Sequence, residues 1–335
     1  MFPVIHSILA ADAVLAEVAR AYTLDTPVAC QLLKTSLNDT YLATTRGGRC
    51  VARVYGARWR SAAEVAYELD LLVHLAGKGV PVAAPVPARD GALARPLPAP
   101  EGLRQLALFA YGEGRPLAWT EADCCLAGRL LAAVHAAVDD FVSRHARFRL
   151  DLEHLVDRPL AALRPFLAHR PGDWRYLQGL AARLRVRAAA AAAGLDWGPC
   201  HGDFGANNIR VAADQSATIL DFDLCGAGWR AYDLAPIYRA TVGQRRIGMW
   251  EAFLDGYTDT RPFHTADLAV VPLVRALRHL AMLGVFADNV AEWGTVRLTD
   301  RSLDGWLAFF REWEVERPLD LPRERVRKEG PDAGW

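Results

Sequence analysis

The 335-residue sequence predicts a two-lobed α+β fold: a small antiparallel sheet with one long helix, followed by a larger, mostly helical lobe. Three observations carry this expectation. Strand-like runs crowd the first third of the chain around one long helical segment. The stretch Gly112-Glu113-Gly114-Arg115-Pro116 then breaks the pattern and reads as a linker. Beyond it the periodic segments have helical spacing, apart from short strands near residues 198–223.

Taken in order, residues 8–22 show helical apolar spacing. Strand-like runs cover 29–34, 40–45 and 50–55, with Arg46-Gly47-Gly48 as the hairpin turn between the last two. Ser61 is placed as the N-cap of a helix reaching about residue 76, and Glu64 completes a capping box. Gly79 stops that helix, and Pro81 and Pro85 keep the following chain extended. Asp90-Gly91 is a turn, and residues 105–110 read as a strand. These elements place the first lobe at residues 1–111 and the second at 112–335. In the second, Thr120 caps a helix to about residue 138, and the alanine run 188–193 ends a helix before Gly194. Amphipathic stretches cover 266–289 and 303–313, and the charged tail after Pro318 is expected to be loosely ordered at its end.

Composition excludes several classes. The 39 basic and 39 acidic residues balance, so nothing pulls the chain toward nucleic acid or an anionic membrane. The six cysteines, Cys30, Cys50, Cys124, Cys125, Cys200 and Cys225, have no C-x-x-C spacing and read as reduced thiols of a cytoplasmic protein. The first residues lack a basic region followed by a long apolar stretch, and later apolar runs are short or interrupted by arginine. Neither a signal peptide nor a membrane span is expected.

The chemistry is carried by His201-Gly202-Asp203-Phe204-Gly205-Ala206-Asn207-Asn208, followed by Asp221-Phe222-Asp223. Protein kinases write their catalytic loop as H-R-D-x-x-x-x-N and follow it with D-F-G. There an aspartate receives or orients the proton of the attacking hydroxyl, and an asparagine and a later aspartate hold magnesium against the triphosphate. Phosphoryl transfer needs these groups because its work is mostly positioning and charge neutralisation. The strand-like runs 209–211 and 217–220 make this region a hairpin with polar residues at its ends.

With I-L-D-F-D after H-G-D-F-G-A-N-N, the chain resembles the aminoglycoside phosphotransferase and choline kinase superfamily. Glycine in the middle of H-x-D is usual there. Gly226-Ala227-Gly228-Trp229-Arg230-Ala231-Tyr232-Asp233-Leu234-Ala235 and Val80-Pro81-Val82-Ala83-Ala84-Pro85 are similar to the branch of type II homoserine kinases and the stress response kinase. The resemblance runs from about Leu33 to Trp313. It implies a protein-kinase-like fold that uses ATP and Mg2+.

On this template Asp203 is the catalytic base, Asn208 and Asp221 are metal ligands, and His201 holds the catalytic loop through its backbone. Asp223 either reaches a second magnesium through water or caps a turn, and Asn207 is the weaker rival of Asn208. Arg53 stands where protein kinases place the phosphate-binding lysine. Arginine keeps the charge and offers two donors, and the resemblance implies that it is tolerated there. Its helix partner is Glu68, eleven residues before Gly79, with Glu64 better suited to capping. The first strand turn, Thr35-Ser36-Leu37-Asn38, has no glycine, so Ser36 and Asn38 are expected to do part of the phosphate cradling. Residues 108–111, with Phe109 and Tyr111, should face the adenine.

The expected function is therefore an ATP- and magnesium-dependent O-phosphotransferase acting on a hydroxyl of a small metabolite or antibiotic. The alternatives are a kinase of serine or threonine in a peptide and a non-catalytic nucleotide-binding module. For the acceptor, the stretch holding Arg275, Arg278, His279, Asp288, Asn289, Glu292 and Trp293 shows neither the acidic excess that suits a polycation nor an aromatic cage around a carboxylate.

Overall fold

The computed structural model describes residues 2–315; the charged tail expected to be loose lies outside them. Helix α1 (Ala11–Ala21) packs on a six-stranded antiparallel sheet formed by β1 (Pro27–Lys34), β2 (Asn38–Thr45), β3 (Gly48–Tyr55), β4 (Pro85–Val86), β5 (Ala94–Ala99) and β6 (Gly102–Ala110). The strand order is β1-β2-β3-β6-β4, with β5 also paired to β6. Helix α2 (Ala62–Gly77) sits between β3 and β4. Its capping box forms as expected: Glu64 N–H donates to Ser61 Oγ at 3.2 Å, and Ser61 N–H donates to Glu64 Oε2 at 2.9 Å.

Two strands depart from expectation. Strand β5 was not anticipated, because Pro96 and Pro98 argue against a strand. It pairs with β6 alone, and such an edge tolerates proline. The expected linker also contains β7 (Arg115–Pro116), a two-residue strand that pairs with β10 (Ile209–Val211).

The following chain is helical: α3 (Glu121–Ala137), then, past the short strand β8 (Arg149–Leu150), α4 (Arg158–Leu163) and α5 (Pro171–Ala191). Thr120 caps α3 by accepting from Asp123 N–H. The strands β9 (Trp197–Cys200), β10, β11 (Ala217–Ile219) and β12 (Gly226–Trp229) come next. Helices α6 (Ala235–Ala240), α7 (Ile247–Thr258), α8 (Thr265–Asp288), α9 (Val290–Trp293) and α10 (Asp300–Val315) complete the described chain. Helices α3 and α7 cross closely, because a Cβ at Gly256 would stand 1.9 Å from the Cys125 carbonyl oxygen.

One buried apolar cluster joins the sheet side to the helical side, from Tyr55, Leu69 and Phe109 to Leu131, Phe222 and Phe253. Helix α8 corrects one expectation: it is long and apolar enough to cross a membrane by length and composition. Its apolar side chains, among them Val271, Val274, Leu277 and Leu280, are instead buried against neighbouring helices. All six cysteines are free, and Cys124, Cys200 and Cys225 are buried.

Candidate active site

Two nested strand pairs build the site. Strands β9 and β12 pair antiparallel, with Cys200 opposite Gly226, and so clamp the stems of the segment between them. Inside, β10 and β11 form a hairpin in which Ile209 faces Ile219, and Leu220 N–H donates to Asn208 O at 2.8 Å. This arrangement sets the loop 201–208 beside the loop 220–225. It explains why a local spacing in the sequence can specify a three-dimensional cluster.

The loop is held from below by buried polar groups. Asp233 is fully buried and accepts His201 N–H and Gly202 N–H, both at 2.7 Å. His135 lies 3.1 Å from the same carboxylate and 2.8 Å from the Tyr257 hydroxyl. Burial pushes the Asp233 carboxyl up, but His135 and the Gly202 N–H hold it below the ordinary carboxylate range. The His201 ring, also buried, packs against Phe222 with ring centres 4.3 Å apart, and its two nitrogens meet backbone. Its Nε2 is 2.9 Å from Leu220 O, and its Nδ1 accepts Asp203 N–H at 3.1 Å. These partners assign the proton to Nε2.

Asp203 is partly exposed above this base. Asn208 Nδ2 donates to its carboxylate at 3.0 Å and to its carbonyl at 2.9 Å. Arg278, from α8, pairs with the Asp203 carboxylate and also donates to Gly202 O. The sequence singled out Arg278 as a helix arginine but gave no sign of this partner.

A cleft of about 510 Å³ lies between the sheet and these loops. It gathers Ser36, Asn38, Arg53, Glu68, Phe109, Tyr111, Asn208 and Asp221 on one wall system. Arg53 Nη1 donates to Glu68 Oε1 at 2.9 Å and its Nη2 to Asp221 Oδ1 at 3.1 Å. The Tyr55 hydroxyl donates to the other Glu68 oxygen at 3.1 Å. Burial pushes Glu68 up to about 7, against the pull of Arg53. Burial also pushes Asp221 up, but Arg53, with His201 and Lys34, holds that carboxyl below its ordinary range. Asp221 adopts φ +62°, left-handed backbone that is unusual outside glycine.

Some expected residues are placed differently. Asp223 does not line the cleft. It is buried, and its carboxylate accepts from Trp59 Nε1 at 2.6 Å and from Arg60 Nε at 3.2 Å. Trp59 and Arg60, which the sequence reading passed over, therefore occupy the carboxylate expected to reach a second metal or cap a turn. The Asn38 side-chain oxygen accepts Gly56 N–H at 3.3 Å and ties strand ends together. Leu108 faces the opposite side of the sheet, in the cluster with Val14 and Tyr41. Of the segment expected to face adenine, only Phe109, Ala110 and Tyr111 reach the cleft, followed by Gly112.

Comparison with known proteins decides the family. Residues 29–270 match the model of the phosphotransferase enzyme family APH. The chain belongs to this family. It is 42% identical to an uncharacterised protein of Deinococcus radiodurans over 93% of this chain and 92% of that one. It is 28% identical to a homoserine kinase of Caulobacter vibrioides over 82% of this chain and 85% of that one. An amicoumacin kinase solved with AMP-PNP, Ca2+ and Ami superposes with a TM-score of 0.68 at 19% identity, covering 90% of this chain and 92% of that one. The fold is kinase-like.

The donor set of this phosphotransferase suits a divalent cation of the magnesium type. Such an ion takes one or two carboxylates and completes its shell with phosphate oxygens and water. Asp221 offers the carboxylate. Asn208 spends its amide nitrogen on Asp203, and its amide oxygen remains for a cation.

Proposed function

We propose that this chain is an ATP- and magnesium-dependent O-phosphotransferase that moves the γ-phosphate to a hydroxyl of a small molecule. The observation that carries this reading is the position of Asn208. It donates to Asp203 at 3.0 Å and lines the same cleft as Asp221, Arg53 and Glu68. The residue that orients the acceptor and the residues that hold the nucleotide are thereby coupled through one side chain.

In this reading Asp203 receives or orients the proton of the acceptor hydroxyl, and Asn208 and Arg278 fix its carboxylate. Positioning carries much of the effect. Asn208 and Asp221 hold the cation, which when bound neutralises phosphate charge. Arg53, aligned by Glu68, meets the phosphates, Ser36 covers them from the sheet, and Phe109 and Tyr111 flank the base. His201 and Asp233 keep the loop in place. The glycine-free turn suits this division, because a charged guanidinium takes over part of what backbone amides do in glycine-rich loops.

The test is transfer from γ-labelled ATP with magnesium to a panel of hydroxylated small molecules, including homoserine, choline and several aminoglycosides, beside a serine/threonine peptide pool. Label on a small molecule, lost in Asp203→Ala, is the expected result. Label on peptides alone would replace the small-molecule reading, and equal transfer by the variant would overturn the site.

A further inference from the structure

We propose that Lys34 is a second phosphate-binding cation of the cleft, gripping the polyphosphate of the nucleotide from the side opposite Arg53. This rests on the phosphotransferase reading above and adds a residue that recognises its donor nucleotide.

The sheet register places this lysine. Lys34 on β1 stands opposite Thr40 on β2, and Thr40 stands opposite Arg53 on β3. Directly opposed residues of antiparallel strands project from the same face. Lys34, Thr40 and Arg53 therefore form one cross-strand row, and all three line the cleft of about 510 Å³. Two strand spacings, about 10 Å, separate the outer members of the row. Two long basic side chains thus frame the space between them.

An irregularity in β1 puts lysine in this row. Leu32 pairs with Tyr41, and the next pair is Lys34 with Thr40, so Leu33 is an extra residue. Without that bulge Leu33 would stand opposite Thr40, and Lys34 would fall with Asp39 on the other face of the sheet. Bulges re-aim side chains in this way and are common beside active sites.

The charges of the cleft favour a phosphate role. Arg53 is already engaged by two carboxylates, Glu68 and Asp221. Arg210 lies toward Tyr111 and Gly112, where it donates to the Asn207 carbonyl at 2.9 Å. The Lys34 ammonium has no hydrogen-bond or ion-pair partner among the described residues. Its field nevertheless reaches Asp221 and helps to hold that carboxyl down. The two groups are near enough to feel each other and too far apart to pair.

The turn after Lys34 leaves work for such a cation. Glycine-rich loops hold phosphate with free backbone amides. Here Thr35-Ser36-Leu37 contains no glycine, and Ser36 N–H is spent on Asn38 O at 3.2 Å. A lysine ammonium offers phosphate a compact charge with three donors.

The test uses the full chain. Calorimetric titrations of AMP-PNP with magnesium, and of adenosine, are run on the wild type, Lys34→Ala, Lys34→Glu and Lys34→Arg. Melting temperatures check folding, which an exposed residue should leave intact. The expected result is AMP-PNP affinity weakened about tenfold or more in Lys34→Ala and further in Lys34→Glu. Lys34→Arg should stay within about threefold of the wild type, because it keeps the charge. Adenosine, which has no phosphate, should not distinguish the four proteins. AMP-PNP binding indifferent to Lys34→Glu, or a loss for adenosine as large as that for AMP-PNP, would overturn the proposal. Transfer from labelled ATP, measured alongside, separates the two claims. Lys34-dependent binding without transfer to any acceptor keeps the lysine assignment and counts against the phosphotransferase reading. Transfer that is unchanged in Lys34→Glu does the reverse.

Discussion

Gly202 shows how tightly the catalytic loop constrains a single position. Its φ is +83°, and a Cβ there would stand 2.0 Å from the Leu224 carbonyl oxygen. A side chain is therefore excluded twice, by backbone conformation and by contact. The arginine that protein kinases carry at this place has no room here. Gly202→Ala is expected to cost at least about 1–2 kcal/mol in stability and to depress transfer strongly. Thermal unfolding and labelled-ATP assays check both. At this scale the sequence was most legible where partners are near in the chain: Asp203 and Asn208 are five residues apart and meet directly. It was least legible where partners are distant. Arg278 reaches Asp203 across 75 residues, and Trp59 reaches Asp223 across 164. Spacing rules carry no information about such pairs, which depend on how helices and sheet pack.

The β3–α2 pair is the element whose electrostatics can be read most directly. Arg53 on β3 joins Glu68 on α2 to Asp221 beyond β11, so one guanidinium links the sheet, the helix and the loop 220–225. Glu68 has a folded value near 7 against an ordinary 4.5. The folded state thus holds a proton that the unfolded chain releases between those values. Its contribution to stability is full below about pH 4.5 and is lost as pH rises through about 7. Glu68→Gln is expected to flatten this part of the stability–pH curve in denaturant titrations; an unchanged slope would show that Glu68 is not its source. The same variant should weaken transfer, because Arg53 loses its helix partner. The helix itself was legible because the Ser61–Glu64 capping box is a local signal. Strands β5 and β7 were not. Prolines mask the first, and the second has two residues, too few for any period to appear.

Across the whole molecule, the succession of a sheet and then helices follows from the change of period along the chain, while the placement of the cleft does not. The cleft between sheet and loops gathers eight of the site residues expected from the sequence, from six separate stretches, most of them identified by their kinase-like spacing. The central claim divides labour within the site: Asp221 serves the metal-bound nucleotide and Asp203 the acceptor. Its most direct test pairs calorimetric titration of AMP-PNP with magnesium and labelled-ATP transfer, using Asp203→Asn and Asp221→Asn. Asparagine tolerates the left-handed backbone at Asp221, so both variants should fold. The account predicts that Asp221→Asn weakens magnesium-dependent nucleotide binding about tenfold or more. Asp203→Asn should bind nucleotide within about twofold of the wild type and lose transfer by about 100-fold or more. Wild-type transfer by Asp203→Asn, or nucleotide binding indifferent to Asp221→Asn, would contradict it.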